Sequence, residues 1–242
     1  RANKARYDIE NGTRTQDESN ARGMLVNFFS HYEIFIVIII VMIAGTIVSE
    51  EFNKGTIKLL LVRPYKRATI LTSKFITCLI MVAIIIISIM LMQFIVGGII
   101  FGFDSFGTPT IEYDFNAHEI QEMNIASYML IQTIGKLPIY VLLMTLSFAL
   151  STLFNNSAVA ITLTLLGYMG SSMINMIGLQ MDLDWIRYFV TPNWDLTQHF
   201  FGALPMYEGT TIEFSIVINA IYFIIMLIPT YIVFKKRNIK NI

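Results

Sequence analysis

The stretch Phe75–Phe103, FITCLIMVAIIIISIMLMQFIVGGIIFGF, decides the fold class of this chain. It contains no charged residue and is rich in Ile, Met and Phe. A helix needs about 20 apolar residues to cross a hydrocarbon core of about 30 Å. Because the stretch exceeds that length, it predicts a membrane-spanning helix that is tilted or that projects at one end.

The rest of the chain shares this apolar character. Of its 242 residues, 55% are hydrophobic and only 14% are charged, and the mean hydropathy is +0.63. A soluble domain of this length is less apolar. Cys78, the single cysteine, lies inside an apolar run, so no intramolecular disulfide or cysteine metal cluster exists. The sequence therefore predicts an all-α integral membrane protein.

Four more apolar runs predict four more spans. The five predicted spans are residues 27–49, 75–103, 128–153, 157–179 and 214–234. The third is interrupted by Gly135–Pro138 (GKLP), where proline favours a kink or a helix start. The turn Phe154–Asn156 between the third and fourth spans is very short. Around Gly167 and Gly170, small residues in the fourth span would let another helix approach closely.

The segments outside the spans differ in polarity. Residues 1–24 are polar and mixed in charge, which predicts an exposed segment on the outer side, and residues 25–242 form the transmembrane region. Residues 180–213 interleave aromatic with polar side chains. Such a segment is typical of an interfacial or re-entrant position rather than of a span.

Charge is distributed unevenly among these segments. The segment 50–74 has six basic and two acidic residues, and a basic run follows the last span. By contrast, residues 104–124 contain five acids and no Lys or Arg, and residues 180–213 contain five acids and one Arg. The positive-inside rule thus places the segment 50–74 and the C-terminus in the cytoplasm of a plasma-membrane protein. With five spans the N-terminal segment lies outside, so a sixth span upstream of Arg1 is expected.

The segment 50–74 predicts a cytoplasmic amphipathic elbow. Glu50, Lys54 and Lys58 share one helical stripe, and Glu50 precedes Lys54 by the favourable four residues. Arg63 precedes Pro64, so the first helix should end there, and a second helical piece from about Tyr65 leads into the next span. On charge pattern alone, an elbow that only faces anionic lipid is an equal alternative.

The residue pattern of this elbow resembles the type-2 class of ABC-exporter permeases, which includes exporters of antibiotics, lantibiotics, polysaccharides and sodium. The family hallmark is an acidic residue, Gly-Thr, a Leu-rich turn, Pro, a nearby Arg and a Lys that enters the next span. The matching positions here are Glu51, Gly55, Thr56, Leu59, Leu60, Pro64, Arg67 and Lys74. Weaker similarities are Thr191–Leu196 (TPNWDL) and the ending Phe234–Arg237 (FKKR). The resemblance covers the chain from about Asn27 onward.

The resemblance implies a six-span permease that works as a dimer, with a second copy or a homologous permease, on two ATP-hydrolysing subunits. The chain has no GxxxxGK[ST] phosphate loop, so it is expected to be non-catalytic and to carry no cofactor, with ATP and Mg²⁺ on the partner ATPase. The elbow would contact that ATPase and transmit its closure. The contacts implied by the resemblance and the charge pattern are Glu50, Glu51, Lys54, Gly55, Thr56, Lys58, Leu59, Leu60, Arg63, Pro64, Arg67 and Lys74.

Five polar residues within or near the spans are candidates for the transport pathway: His31, Glu33, Lys136, Ser171 and Asn175. Charged residues within a span favour a functional role. The alternatives are that Lys136 extends to the lipid headgroups, that His31 and Glu33 are solvated at the interface, and that Ser171 and Asn175 form interhelical hydrogen bonds.

The leading hypothesis is a permease that exports an apolar or amphipathic substrate such as a peptide, an antibiotic or a lipid. A sodium-exporting permease is a family-level alternative. From another class, a non-transporting sensor or anchor would use the elbow to bind a soluble regulator or anionic lipid. Hydrolase motifs are absent, and the basic residues are too few and too close to the membrane for nucleic-acid binding.

Overall fold

The computed structural model describes residues 20–53, 66–114, 119–200 and 205–236. Within these residues the chain is mainly helical. The helices are α1 (Ala21–Val26), α2 (Phe28–Thr46), α3 (Ser49–Asn53), α4 (Arg67–Phe101), α5 (Ile125–Phe154), α6 (Ser157–Gln180) and α7 (Ile212–Lys236).

Five helical stretches are long and apolar enough to cross a membrane: Phe28–Phe52, which joins α2 to α3, and the helices α4, α5, α6 and α7. Each of them coincides with one predicted span. Helix α4 begins at Arg67, eight residues before the predicted bound at residue 75, because the helical piece predicted from about Tyr65 continues into the span without a break. The prediction of a mainly helical chain is confirmed, with five helical stretches long and apolar enough to be membrane spans.

Helix α5 is continuous through Pro138. Of the two predicted effects of GKLP, a kink or a helix start, the continuous helix excludes the helix start. A proline within a span is tolerated when packing against other helices holds the backbone in place. Helix α5 has such packing, since it contacts α2, α4, α6 and α7.

The turn between α5 and α6 was predicted correctly, and two asparagines form it. Asn155 adopts a left-handed conformation with φ 53°, which ends α5. Asn156 is the N-cap of α6, and its side-chain oxygen accepts a hydrogen bond from the Val159 amide at 3.2 Å. Asn readily adopts both conformations, so two residues suffice to reverse the chain.

The acidic stretch 104–124 contains a β-hairpin that the all-α prediction missed. Strand β1 (Thr110–Asp114) pairs antiparallel with strand β2 (Glu119–Met123), and Ile111 lies opposite Glu122. A short 3-10 helix, Asp104–Gly107, precedes the hairpin. Alternating polar and apolar residues in β1 (TIEYD) suit a strand, but the many acids made the stretch look like a loop.

Helix α1 is buried, although it starts within the segment 1–24 that was predicted to be exposed. Arg22 is only 2% exposed, and its Nη1 donates a hydrogen bond to the Pro109 carbonyl at 2.8 Å. Gln93 of α4 donates a hydrogen bond to the Met24 carbonyl at 2.6 Å. These bonds fix α1 against the end of α4 and against the segment before β1.

Helix α5 forms the centre of the bundle. Tyr140, Met144 and Phe148 are fully buried on it. The Ser147 hydroxyl donates a hydrogen bond to the Val41 carbonyl of α2 at 2.8 Å, which joins the two helices. The large side chains of α4, α6 and α7 are exposed over much of their length, as expected for surfaces that face lipid.

The two basic segments meet at one end of the bundle. Phe52 of α3 and Phe234 of α7 have ring centroids 6.3 Å apart, and Arg67 Nη1 donates a hydrogen bond to the Lys235 carbonyl at 3.3 Å. The hairpin lies at the opposite end, where α2 and α5 begin and α4 ends. The charge asymmetry of the sequence thus becomes an asymmetry between the two ends of the structure.

Candidate functional site

Lys136 of α5 lies between two carboxylates that belong to different elements. Its Nζ is 2.6 Å from Glu33 Oε2 on α2 and 2.8 Å from Asp195 Oδ2 in the segment 181–211 between α6 and α7. The three side chains are 14%, 21% and 33% exposed. Lys136 lies about 17 Å along α5 from Ile125, at about 1.5 Å per residue. We call these three residues the ionic cluster.

Neighbouring groups fix the orientation of both carboxylates. The Tyr168 hydroxyl of α6 donates a hydrogen bond to Glu33 Oε1 at 2.8 Å. Asp195 Oδ1 accepts hydrogen bonds from the Thr197 amide at 3.0 Å and from the Thr197 hydroxyl at 2.5 Å. The cluster therefore connects α2, α5, α6 and the segment 181–211, which we call the outer segment.

Gly135 lets the outer segment approach α5 at this point. A Cβ at position 135 would lie 2.7 Å from Thr197 Cγ2 and 3.1 Å from the Thr197 backbone nitrogen. Such distances are too short for any side chain. The glycine beside Lys136 therefore makes room for the residue that orients Asp195.

The hypothesis that Lys136 extends to the lipid headgroups was wrong, because two carboxylates hold its amine. Interfacial solvation does not describe Glu33 either, since Lys136 and Tyr168 bind its two oxygens. His31 is exposed and lies apart from the cluster. Of the two residues that the sequence paired near the outer face, only Glu33 belongs to the site.

A cavity of about 660 Å³ adjoins the cluster, and Glu33, Ser171 and Asn175 line it. The hydroxyl of Ser171 donates a hydrogen bond to the Tyr168 carbonyl in its own helix at 2.6 Å. Asn175 accepts a hydrogen bond from the Thr191 hydroxyl of the outer segment at 2.8 Å. The predicted interhelical hydrogen bonds were therefore wrong for both residues, and three of the five pathway candidates meet at one cavity.

Asn193 organises the outer segment, and sequence reasoning gave it no role. Its Nδ2 donates hydrogen bonds to the carbonyls of Arg187 and Phe189, both at 2.7 Å. Its Oδ1 accepts a hydrogen bond from the Ser215 hydroxyl of α7 at 2.8 Å. The residue is 1% exposed. The motif TPNWDL includes both Asn193 and Asp195 and could have indicated their importance, but it served only as a sign of family resemblance.

His199 extends this network to the end of the outer segment. The Ser215 hydroxyl has one proton and donates it to Asn193, so His199 Nε2 donates to Ser215 Oγ across their 2.9 Å contact. Burial lowers the pKa of His199, although Glu213 and Asp195 act in the opposite direction. The outer segment is thus tied to α7 through His199 and Asn193, and to α2 and α5 through Asp195.

At the other end of the bundle, Glu51 and Lys74 join the two flanks of the elbow. Lys74 Nζ is 2.6 Å from Glu51 Oε1 and donates a hydrogen bond to the Ile47 carbonyl at 2.7 Å. Their side chains are 25% and 12% exposed. Glu50 is exposed beside them. The structure brings together two of the residues through which the elbow resembles exporter permeases.

The remaining elbow residues predicted to contact an ATPase lie outside the described residues, except for Arg67, which contacts Lys235. The predictions for those positions stay predictions. They are Lys54, Gly55, Thr56, Lys58, Leu59, Leu60, Arg63 and Pro64. Across residues 20–53, 66–114, 119–200 and 205–236, no three His, Cys, Asp or Glu side chains form a group that could hold a metal ion.

Comparison with known proteins gives one matching family model and two similar bacterial proteins, one of them named a membrane protein. The family model described as "Protein of unknown function (DUF2705)" matches residues 4–240. Two similar proteins come from Bacillus subtilis (strain 168). "Uncharacterized protein YhcI" is 34% identical over 202 residues, which cover 83% of this chain and 64% of that protein. "Uncharacterized membrane protein YdbK" is 31% identical over 202 residues, which cover 83% of this chain and 76% of that protein.

The chain thus spans less than two thirds of the length of YhcI and about three quarters of the length of YdbK. No solved structure matches the chain.

Proposed function

The chain belongs to the DUF2705 family, and we propose that it is the membrane-spanning permease subunit of an ATP-driven exporter. In this proposal a separate subunit hydrolyses ATP and docks on the cytoplasmic elbow. The C-terminus lies on the same side, as the charge asymmetry of the sequence favours. A second permease copy, or a homologous permease, completes the membrane part.

The observation that carries the proposal is the contact between Glu51 and Lys74. The ion pair joins the end of the first span to the start of the second, at 2.6 Å. Lys74 also binds the Ile47 carbonyl, so the base of the elbow is attached to both spans. A load applied to residues 54–65 would therefore reach both helices. Transmission of ATPase closure requires such an attachment.

The contact that Arg67 makes with the end of α7 supports the same arrangement. Arg67, at the start of α4, contacts the Lys235 carbonyl at the end of α7. Phe52 and Phe234 pack beside it. The last span thus meets the described flanks of the elbow, and a docked subunit would contact basic groups from two helices, α4 and α7, at one surface.

An assay of coupling tests the proposal. The full-length protein is expressed with the ATPase that copurifies with it, and the vanadate-sensitive ATP hydrolysis of the reconstituted complex is measured. We expect Glu51→Ala and Gly55→Pro to abolish the stimulation of hydrolysis while membrane insertion persists. Glu119→Ala, on the hairpin at the opposite end, is the matched control and should leave stimulation unchanged.

Two results would overturn the proposal. The first is a full-length protein that copurifies with no ATPase. The second is a complex in which the elbow variants and the hairpin variant behave alike. A non-transporting anchor would give the first result, and it would bind anionic vesicles through the same basic surface.

A further inference from the structure

The cavity beside the ionic cluster has the size of a small-molecule site. Its volume is about 660 Å³, and pockets that bind drug-sized ligands measure about 300–1,000 Å³. Helices α2, α5 and α6 and the outer segment each contribute to its wall. Four separate elements therefore shape one concave surface.

The charge of this wall is negative. Glu33 and Asp195 line the cavity. The other described residues that line it include no Lys, Arg or His. Lys136 lies behind the two carboxylates and neutralises one of the two negative charges. Residues 201–204, which adjoin the lining in sequence, carry no charge. A net negative charge remains at the wall.

The rest of the wall is aromatic and apolar. The rings of Tyr168 and Trp194 both line the cavity, and their centroids are 6.2 Å apart with an interplanar angle of 43°. Aromatic faces attract organic cations within about 6 Å of the ring centroid. Met169 and Met176 add flexible, polarisable side chains that adapt to apolar ligands of different shape.

We propose that this cavity binds an organic cation with an apolar body, such as a quaternary ammonium or phosphonium compound. The positive centre lies near Glu33 and Asp195, and the apolar body packs on Tyr168, Trp194 and the methionines. An organic anion would meet the carboxylates without a compensating cation, because Lys136 is already engaged. A bare metal ion is disfavoured because the described residues that line the cavity supply two carboxylates and no further charged ligand.

Whether the bound cation is also the exported cargo rests on the proposed function. Binding itself needs neither an ATPase nor ATP. The experiment therefore uses the full-length protein alone, so that loss of binding and loss of coupling are observed separately.

Tetraphenylphosphonium and tetraphenylborate are the probes, because they have nearly the same size and shape and opposite charge. The protein is placed in neutral phosphatidylcholine nanodiscs, with empty nanodiscs as the background. We expect saturable binding of radiolabelled tetraphenylphosphonium with one site per chain, and no saturable binding of tetraphenylborate in a separate titration. Glu33→Gln and Asp195→Asn should each weaken binding about tenfold or more, because each removes a charge and keeps a hydrogen-bonding side chain.

The exposed carboxylate Glu208 supplies the matched control. It belongs to the outer segment but does not line the cavity, so Glu208→Gln should bind the probe within about twofold of the wild type, as expected for a screened exposed charge.

A second pair of variants covers the case in which loss of a carboxylate disturbs folding. Met176→Arg places a positive charge at the cavity wall without touching the ionic cluster, and it should abolish binding. Met181→Arg, at an exposed position outside the cavity lining, should not.

Three outcomes would overturn the proposal. They are no saturable binding of tetraphenylphosphonium to the wild type, equal binding of that probe in Met176→Arg and Met181→Arg, or binding of tetraphenylborate to the wild type as tight as that of tetraphenylphosphonium.

Discussion

One lysine–carboxylate contact lies at the elbow end of the bundle, the other lies about 17 Å along α5 from the opposite end, and the two join different kinds of elements. The pair Glu51–Lys74 joins two consecutive spans across the elbow, and Lys74 also has a backbone carbonyl as partner. In the ionic cluster, Lys136 instead joins residues far apart in sequence and holds two carboxylates at once. The Glu51–Lys74 pair therefore stabilises a local element, whereas the ionic cluster stabilises the tertiary arrangement of distant segments.

The difference predicts which contact controls stability and which controls coupling. Removing Lys136 leaves two neighbouring, partly buried carboxylates without their shared cation. Removing Glu51 leaves Lys74 with the Ile47 carbonyl as a partner. Stability should therefore depend mainly on the cluster, and signal transmission mainly on the elbow.

The largest effect is expected from Lys136→Met. This change leaves Glu33 and Asp195 without their shared cation. Breaking a fully buried pair from one side costs about 3–5 kcal/mol, and we expect a loss at the lower end of that range because the three side chains are 14–33% exposed. The free energy of unfolding in detergent measures the loss. The triple variant Lys136→Met, Glu33→Gln, Asp195→Asn should recover most of it, because no uncompensated charge remains. A triple variant as unstable as the single one would show that the charges do not matter.

A smaller effect on stability is expected from Gly135→Val. The added side chain would displace Thr197, and overpacking of this kind typically costs about 1–3 kcal/mol. The outer segment should also become accessible to protease at its docking site. Gly167→Ala is the control, since no described atom lies within 4 Å of a Cβ at that position. Its melting temperature should equal or exceed that of the wild type, and equal losses in both variants would contradict the docking role of Gly135.

Glu51→Gln should change stability by only about 1 kcal/mol, because the new amide oxygen can still accept a hydrogen bond from Lys74, which also keeps the Ile47 carbonyl. It should nevertheless reduce the ATPase stimulation of the complex strongly, since the elbow loses the charge that ties it to α4. Melting temperature and stimulation are measured on the same preparation. A variant that loses stability and keeps stimulation would reverse the comparison between the two ends.

The smallest effect concerns pH and the outer segment. Burial lowers the pKa of His199 in the folded protein, whereas the unfolded chain has the ordinary value of about 6.5. The unfolded state therefore takes up a proton first as the pH falls below about 6.5, and the contribution of His199 to stability declines down to the folded pKa. We expect the melting temperature to fall between pH 7.5 and 5.5, and His199→Gln to reduce that fall. An identical pH dependence in the variant would exclude His199 as its source.

Much of the fold can be predicted from the sequence, because a helix that crosses lipid needs a long apolar run of residues. The spans follow from uncharged runs such as Phe75–Phe103, and the short turn at Asn155 follows from residue type. The continuity of α5 through Pro138 was not predictable, because neighbouring helices rather than local sequence hold that helix together. The hairpin at Thr110–Met123 was missed because strand alternation there is masked by acids.

The candidate site was legible only in part. Glu33 and Lys136 are charged residues in or near apolar runs, and both were predicted as pathway candidates from the sequence. Asp195 did not stand out, since it lies in a segment that contains other acids and many polar groups. The approach of that segment to α5 depends on Gly135 and Asn193, whose roles appear only when the chain is folded. A tertiary ion pair between distant segments has no local sequence signal.

The central claim is that an ATPase docks on the cytoplasmic elbow, and site-specific photocrosslinking tests it most directly. A benzoylphenylalanine replaces Glu50, which is exposed beside the elbow, or Tyr188, which is exposed in the outer segment. The full-length protein is irradiated in living cells that encode it, and its adducts are identified by mass spectrometry. We predict that position 50 captures a protein with a GxxxxGK[ST] phosphate loop and that position 188 does not. Adducts without such a protein at position 50, or the same adduct at both positions, would contradict the account.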